Sequence, residues 1–71
     1  MRKLQPYEQR FLAEYYQLND RIAKLRAMLG DWDNLDFEPK CPYELLRDQY
    51  DTMCRYKAIL ELRADIEEVM L

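Results

Sequence analysis

The residues able to do chemistry here are two cysteines, six tyrosines, one tryptophan and 11 arginines and lysines; histidine is missing from the sequence. A cysteine nucleophile needs a base to hold its thiolate, and neither Cys41 nor Cys54 has the usual histidine to supply one. Neighbouring carboxylates such as Glu67 and Glu68 point apart on a helix, so they cannot work as an acid–base dyad. A glycine-rich phosphate cradle cannot be built from a single glycine. These residues predict a protein that is not an enzyme and uses no cofactor.

Metal chemistry is equally poorly served. Asp31, Asp33, Asn34, Asp36 and Glu38 have the look of a calcium loop, but the spacing fails. Leu35 stands where an oxygen ligand is needed, Asp36 where the glycine is needed, and Pro42 where the closing glutamate is needed. The acids read as solvated loop and capping residues, and no metal site is expected. Two cysteines alone make neither a disulfide framework nor a Cys/His metal centre, and they are expected as free thiols in a reducing cytosol.

Binding chemistry remains. Tyr16 falls on the side of its helix away from the apolar seam, beside Ala23 and Ala27, where a core does not need it. An aromatic in that position can stack on a ligand ring or anchor a subunit contact. Arg21, Lys24 and Arg26 follow on the same helix and could supply phosphate donors. The plainer reading is a solvated basic face with partners four residues apart, such as Asp20 and Lys24.

Two helices must carry these groups. The first should begin at Pro6, with Glu8 complementing the dipole of its first turn. Tyr7, Phe11, Tyr15, Leu18, Ile22, Leu25 and Leu29 recur at steps of 4, 4, 3, 4, 3 and 4, a narrow seam suited to pairing with another helix. Gly30 follows the seam, where a left-handed C-cap is expected, so helix 1 spans about 6–29. The connection, 30–41, carries Trp32, Leu35 and Phe37 among acids and should fold back on the helices, with a short third helical turn near Asp33 to Phe37. Helix 2 should start at Pro42, with Cys41 as a poor N-cap, and run about 42–70.

Helix 2 has apolar residues over too much of its circumference. Leu45, Leu46, Tyr50, Met53, Tyr56, Leu60 and Ala64 form one face; Ile59, Leu62, Ile66, Val69 and Met70 form a second beside it. One partner helix covers the first face, and the second calls for another surface, most simply a second copy of the chain. The fold class is all-α: a single domain over residues 1–71, an antiparallel two-helix hairpin assembled as a homo-oligomer. A chain of this length builds only a marginal core by itself, and assembly is the natural remedy.

The net charge of −3 argues against a protein that coats DNA or RNA, although a local pair of basic residues could still hold a small anion. No apolar stretch approaches the roughly 20 residues that span a bilayer. Met1, Arg2 and Lys3 are basic, but no apolar run of signal-peptide length follows them, and a cytoplasmic location with no membrane contact is expected.

Two segments resemble a known group. EYYQLNDRIAKLRAML, residues 14–29, resembles the first-helix pattern of small phage-encoded helical proteins, matching at Glu14, Tyr15, Leu18, Arg21, Ile22, Lys24 and Leu25. LLRDQYDTMCRYKAILELRADI, residues 45–66, is similar to their second-helix pattern at Leu45, Leu46, Gln49, Met53, Tyr56, Leu60 and Arg63. Members of this group include phage anti-CBASS sponges, which sequester the cyclic oligonucleotide signals of a bacterial antiviral system without cleaving them. The resemblance implies a helical homo-oligomer, commonly a hexamer, with ligand pockets between protomers. It also implies base stacking by Tyr15, and a phosphate contact from a lysine beyond the first helix, for which Lys40 is the candidate in this longer connection.

The expected function is thus immune evasion by binding a cyclic di- or trinucleotide, or a related nucleotide signal, without cleavage. Tyr15, Tyr16 or Trp32 would stack, and Arg21, Lys24, Lys40 or Arg47 would contact phosphate. The competing expectation is a helical interaction protein that grips a host or phage protein through the second apolar face of helix 2.

Overall fold

Helix-compatible residues dominate the chain, and the structure, a computed structural model describing residues 3–71, holds two helices and no strand among those residues. Helix α1 spans Pro6–Gly30 and helix α2 spans Tyr43–Ile66; a 3₁₀ turn at Trp32–Asn34 lies between them. They pack as an antiparallel hairpin measuring 48 × 19 × 16 Å.

α1 starts where its sequence signals it should. Pro6 occupies the first helical position, where its missing N–H is no loss. Glu8 turns back so that its Oε1 accepts a 3.1 Å hydrogen bond from the Gln5 backbone N–H, the return half of a capping box. This brings Glu8, rather than Tyr7, inward in the first turn: Glu8 is buried and Tyr7 is 49% exposed, so Tyr7 is no part of the seam. Phe11, Tyr15, Leu18 and Ile22 are buried as the seam requires, while Leu25 and Leu29 are half-buried where the helices near the connection.

Gly30 does not take the left-handed conformation expected of it. It is the last residue of α1, and the cap is Asp31, whose N–H reaches the Ala27 and Met28 carbonyls. The 3₁₀ turn sits slightly earlier than expected. Asp31 anchors it, its carbonyl accepting from the Asn34 N–H at 2.9 Å and its carboxylate from the Asn34 side chain at 3.2 Å. Trp32 and Leu35 fold back to half burial, whereas Phe37 stays exposed.

Pro42 is the N-cap of α2, with extended ψ of 150°, and its carbonyl accepts the first helical bond from Leu46. From there Leu60 and Ala64 are buried against the α1 seam, with Tyr50, Met53 and Cys54 partly buried beside it. Leu45 and Tyr56, expected on the inner face, lie at its margin and are exposed. Fully burying an aliphatic side chain such as Leu60 contributes about 1.5–3 kcal/mol, so a core this short leaves the hairpin modestly stable.

α2 ends at Ile66, short of the expected Met70. Its end is a Schellman turn: Val69 N–H donates to the Ala64 carbonyl at 2.8 Å and Glu68 N–H to Asp65 at 3.4 Å. Glu68 takes the left-handed position with φ 58°, a place usually given to glycine. The turn swings Val69 out of the second face, where sequence spacing puts it, and buries it in the core. Ile59, Leu62, Ile66 and Met70 of that face remain exposed.

Candidate functional site

The hairpin register brings three separate segments together at the connection end. Arg26, Leu29 and Gly30 from the end of α1, with Tyr43, Arg47 and Tyr50 from the start of α2, line an open cavity of about 260 Å³. Tyr43, Arg47 and Tyr50 are spaced 4 and 3 apart and so share one face of α2. Trp32 buttresses that face from the 3₁₀ turn, its ring meeting Tyr43 edge to face with centroids 5.3 Å apart.

Arg47 is the organised cation of this groove. Its guanidinium lies 5.9 Å from the centre of the Tyr50 ring and its Nε is 3.4 Å from Asp51 Oδ1. The Tyr43 hydroxyl, followed by the Asp51 carboxylate, holds its pKa above the ordinary arginine value. The groove therefore keeps this positive charge at every pH the protein will meet. α2 begins here without a side-chain cap, which adds positive field, while the end of α1 at Gly30 opposes it. The helix ends carry only partial charges; Arg26 adds a second guanidinium to the lining, and Asp51 offsets part of the charge of Arg47.

Two guanidiniums among aromatic rings form a surface for a ligand that is both planar and anionic. Guanidinium forks match phosphate geometry, and tyrosine and tryptophan offer faces or edges to a base. The cavity is smaller than the roughly 300–1,000 Å³ of enclosed ligand sites, so one hairpin has room for about one nucleotide unit.

Of the residues expected to bind, Arg26 lines this groove, and Trp32 and Arg47 meet there through Tyr43. The others lie apart. Tyr15 is buried in the seam, its hydroxyl donating a 2.7 Å hydrogen bond to Glu61 Oε2. That bond foremost, then burial, raises its pKa above the ordinary tyrosine value, although the Asn19 side chain, one turn along, pulls the other way. Tyr16 is exposed and packs edge to face on Tyr15, centroids 5.5 Å apart. Lys24 is exposed and pairs with Asp20 at 2.9 Å; Arg21 and Lys40 are exposed outside the groove lining.

Sequence spacing puts Tyr50 on the inner face of helix 2 and assigns Tyr43 no role. The signal that could have found them is the Tyr-Arg-Tyr face with an aromatic 3₁₀ turn just before it. Among the described residues no group of three or more His, Cys, Asp or Glu side chains is placed to hold a metal ion. No described helix is long and apolar enough to cross a membrane.

The chain compares with known proteins at the level of family. The model of the family described as Sequestin matches residues 5–66, which takes in both helices and the groove between their connected ends. No curated protein matches the chain, and no solved structure does.

Proposed function

The chain belongs to the Sequestin family, and from that premise we propose that it binds a cyclic di- or trinucleotide, or a related nucleotide signal, and holds it unchanged. The family description names sequestration, which supports a role in withdrawing a ligand rather than converting it. The observation that carries the reading is the groove itself. In a chain of net charge −3, Arg26 and Arg47 converge on one cavity with Tyr43 and Tyr50, and Trp32 stands behind them.

One phosphate of the ligand sits between the two guanidiniums and the adjoining base lies against the tyrosines. Stacking of a base on an aromatic side chain contributes about 1–3 kcal/mol, and charge-assisted hydrogen bonds to phosphate add to it. Holding without cleaving follows from the same residues. The groove offers cations and rings but no histidine or cysteine to activate water or attack phosphorus. In a phage-infected cell such a protein would act as an anti-defence sponge, drawing down a nucleotide immune signal.

Calorimetric titration against a panel of cyclic di- and trinucleotides and cyclic ADP-ribose isomers tests this, with each ligand recovered by chromatography after denaturation. Submicromolar binding with intact ligand returned is the expected result. Silence across the panel, or return of a cleaved product, overturns it.

A further inference from the structure

The segment that joins the two walls of the groove is the part of the hairpin least tied to the rest. Gly30 lines one wall and Tyr43 the other. Among the described residues, nothing from Leu35 to Cys41 makes a hydrogen bond or an ion pair. Segments with so few polar ties are where local opening costs least. The ends of this one are nevertheless held. Asp31 clamps the 3₁₀ turn through Asn34, Trp32 packs on Tyr43, and Pro42 caps α2. Pro39 and Pro42 fix φ toward the far end, so the segment loses less freedom on ordering than a glycine-rich loop would.

Phe37 sits in the middle of this segment, seven residues beyond Gly30 and six short of Tyr43. It is 58% exposed, more than any other aromatic among the described residues, and it lacks the hydroxyl that suits an exposed tyrosine to water. The groove lacks what such a ring supplies. Tyr43 and Tyr50 line it along α2, but the cavity is open, so a base laid on them keeps its outer face in water. Six extended residues reach about 20 Å, ample for the ring to cross a cavity of about 260 Å³ from either wall. Asp36 and Glu38 flank the ring and are repelled by phosphate, which directs the ring to the base and away from the anion.

We propose that residues 35–41 form a strap that closes on a nucleotide in the groove, Phe37 covering the face of the base that Tyr43 and Tyr50 leave open. The inference rests on the nucleotide reading of that groove and gives Phe37 the second stack.

Nuclear magnetic resonance titrations of the isotope-labelled full chain test the closure. One uses ADP, a single nucleotide unit; the other uses inorganic pyrophosphate, a similar anion with no base. ADP should shift the amide signals of residues 35–41 and give Overhauser contacts between the Phe37 ring and the adenine protons. Pyrophosphate should shift signals of the groove and leave the Phe37 ring unmoved. Phe37→Ala should weaken ADP about tenfold and leave both pyrophosphate affinity and the thermal midpoint unchanged, because the ring is exposed. Phe37→Trp should restore ADP affinity. ADP bound equally by wild type and Phe37→Ala overturns the strap alone and leaves the nucleotide reading standing. Equal losses of ADP and pyrophosphate overturn it too, since the ring would then shape the anion site and not cover a base. Failure of millimolar ADP to bind the wild type removes the nucleotide reading of the groove, and the strap falls with it.

Discussion

The Tyr15 hydroxyl donates a 2.7 Å hydrogen bond to the Glu61 carboxylate, tying α1 to α2 across 46 residues of sequence. The ring belongs to the seam and the hydroxyl reaches its edge, where Glu61 on the exposed side of α2 can meet it. One residue thus contributes apolar burial and a cross-helix polar bond.

Removing the hydroxyl alone with Tyr15→Phe should cost about 1 kcal/mol near neutral pH. The phenol pKa is raised above 10.0 in the folded state, so the native protein holds this proton more tightly than the unfolded chain. The contribution is therefore complete below pH 10 and lost as pH climbs through the folded value. Urea midpoints of wild type and Tyr15→Phe should differ at pH 8, and by less at a pH above the raised folded value. An equal gap at both pH values would show that the bond carries no proton linkage. Tyr15→Ala removes the ring as well and should destabilise by about 3–5 kcal/mol, enough to threaten the fold of so small a hairpin.

A second expectation concerns the end of α2. Glu68 holds the left-handed conformation with φ 58°, at a strain of about 1–2 kcal/mol for a residue with a Cβ. Glu68→Gly relieves it, and after the added freedom of glycine in the unfolded chain the net gain should be about 1 kcal/mol. For a domain of this size that raises the thermal midpoint by about 4–8 °C. A midpoint that falls would mean the Glu68 side chain does more than occupy the turn.

Gly30 presents the opposite case. It is helical, and a Cβ built there meets nothing within 4 Å. Gly30→Ala should stabilise the hairpin by about 0.5–1 kcal/mol, read as a rise in the urea midpoint. Gly30 also lines the groove, so a loss of ligand affinity in the same variant would show that the bare backbone is there for close approach.

How far these features were legible in the sequence varies with the kind of signal. The start of α1 was plain because Pro6 and Glu8 are local signals that act on the helix they belong to. The middle of the inner faces followed from periodicity, since one narrow seam needs one partner, whereas Tyr7, Leu45 and Tyr56 fit the spacing and are exposed. The end of α2 was hidden: no glycine or proline marks it, and the left-handed Glu68 accompanies a turn that buries Val69, a contact no local pattern announces. The groove was half legible. Trp32 and Arg47 stand out by type, but their meeting depends on Tyr43 and on the hairpin register, which no local pattern specifies.

The last prediction turns on Arg47 and its neighbour. Asp51 stands 3.4 Å from Arg47, four residues along an exposed helix face, so the pair is weak and well screened. A ligand phosphate must compete with this carboxylate for the guanidinium. Arg47→Gln should weaken nucleotide binding by about tenfold or more, with little change in the thermal midpoint, because the side chain is exposed. Asp51→Asn leaves Arg47 free for phosphate and should strengthen binding by about two- to fivefold. Raising the salt concentration should weaken the wild type and Asp51→Asn alike, and Arg47→Gln less. The double variant Arg47→Gln, Asp51→Asn discriminates between direct and indirect effects. If Asp51 acts only by holding Arg47, the double variant should bind as Arg47→Gln does; additive changes would give Asp51 an independent repulsion of the ligand. Unchanged affinity in Arg47→Gln would move the anion site away from this groove, toward the exposed cations Arg21 and Lys24 on α1.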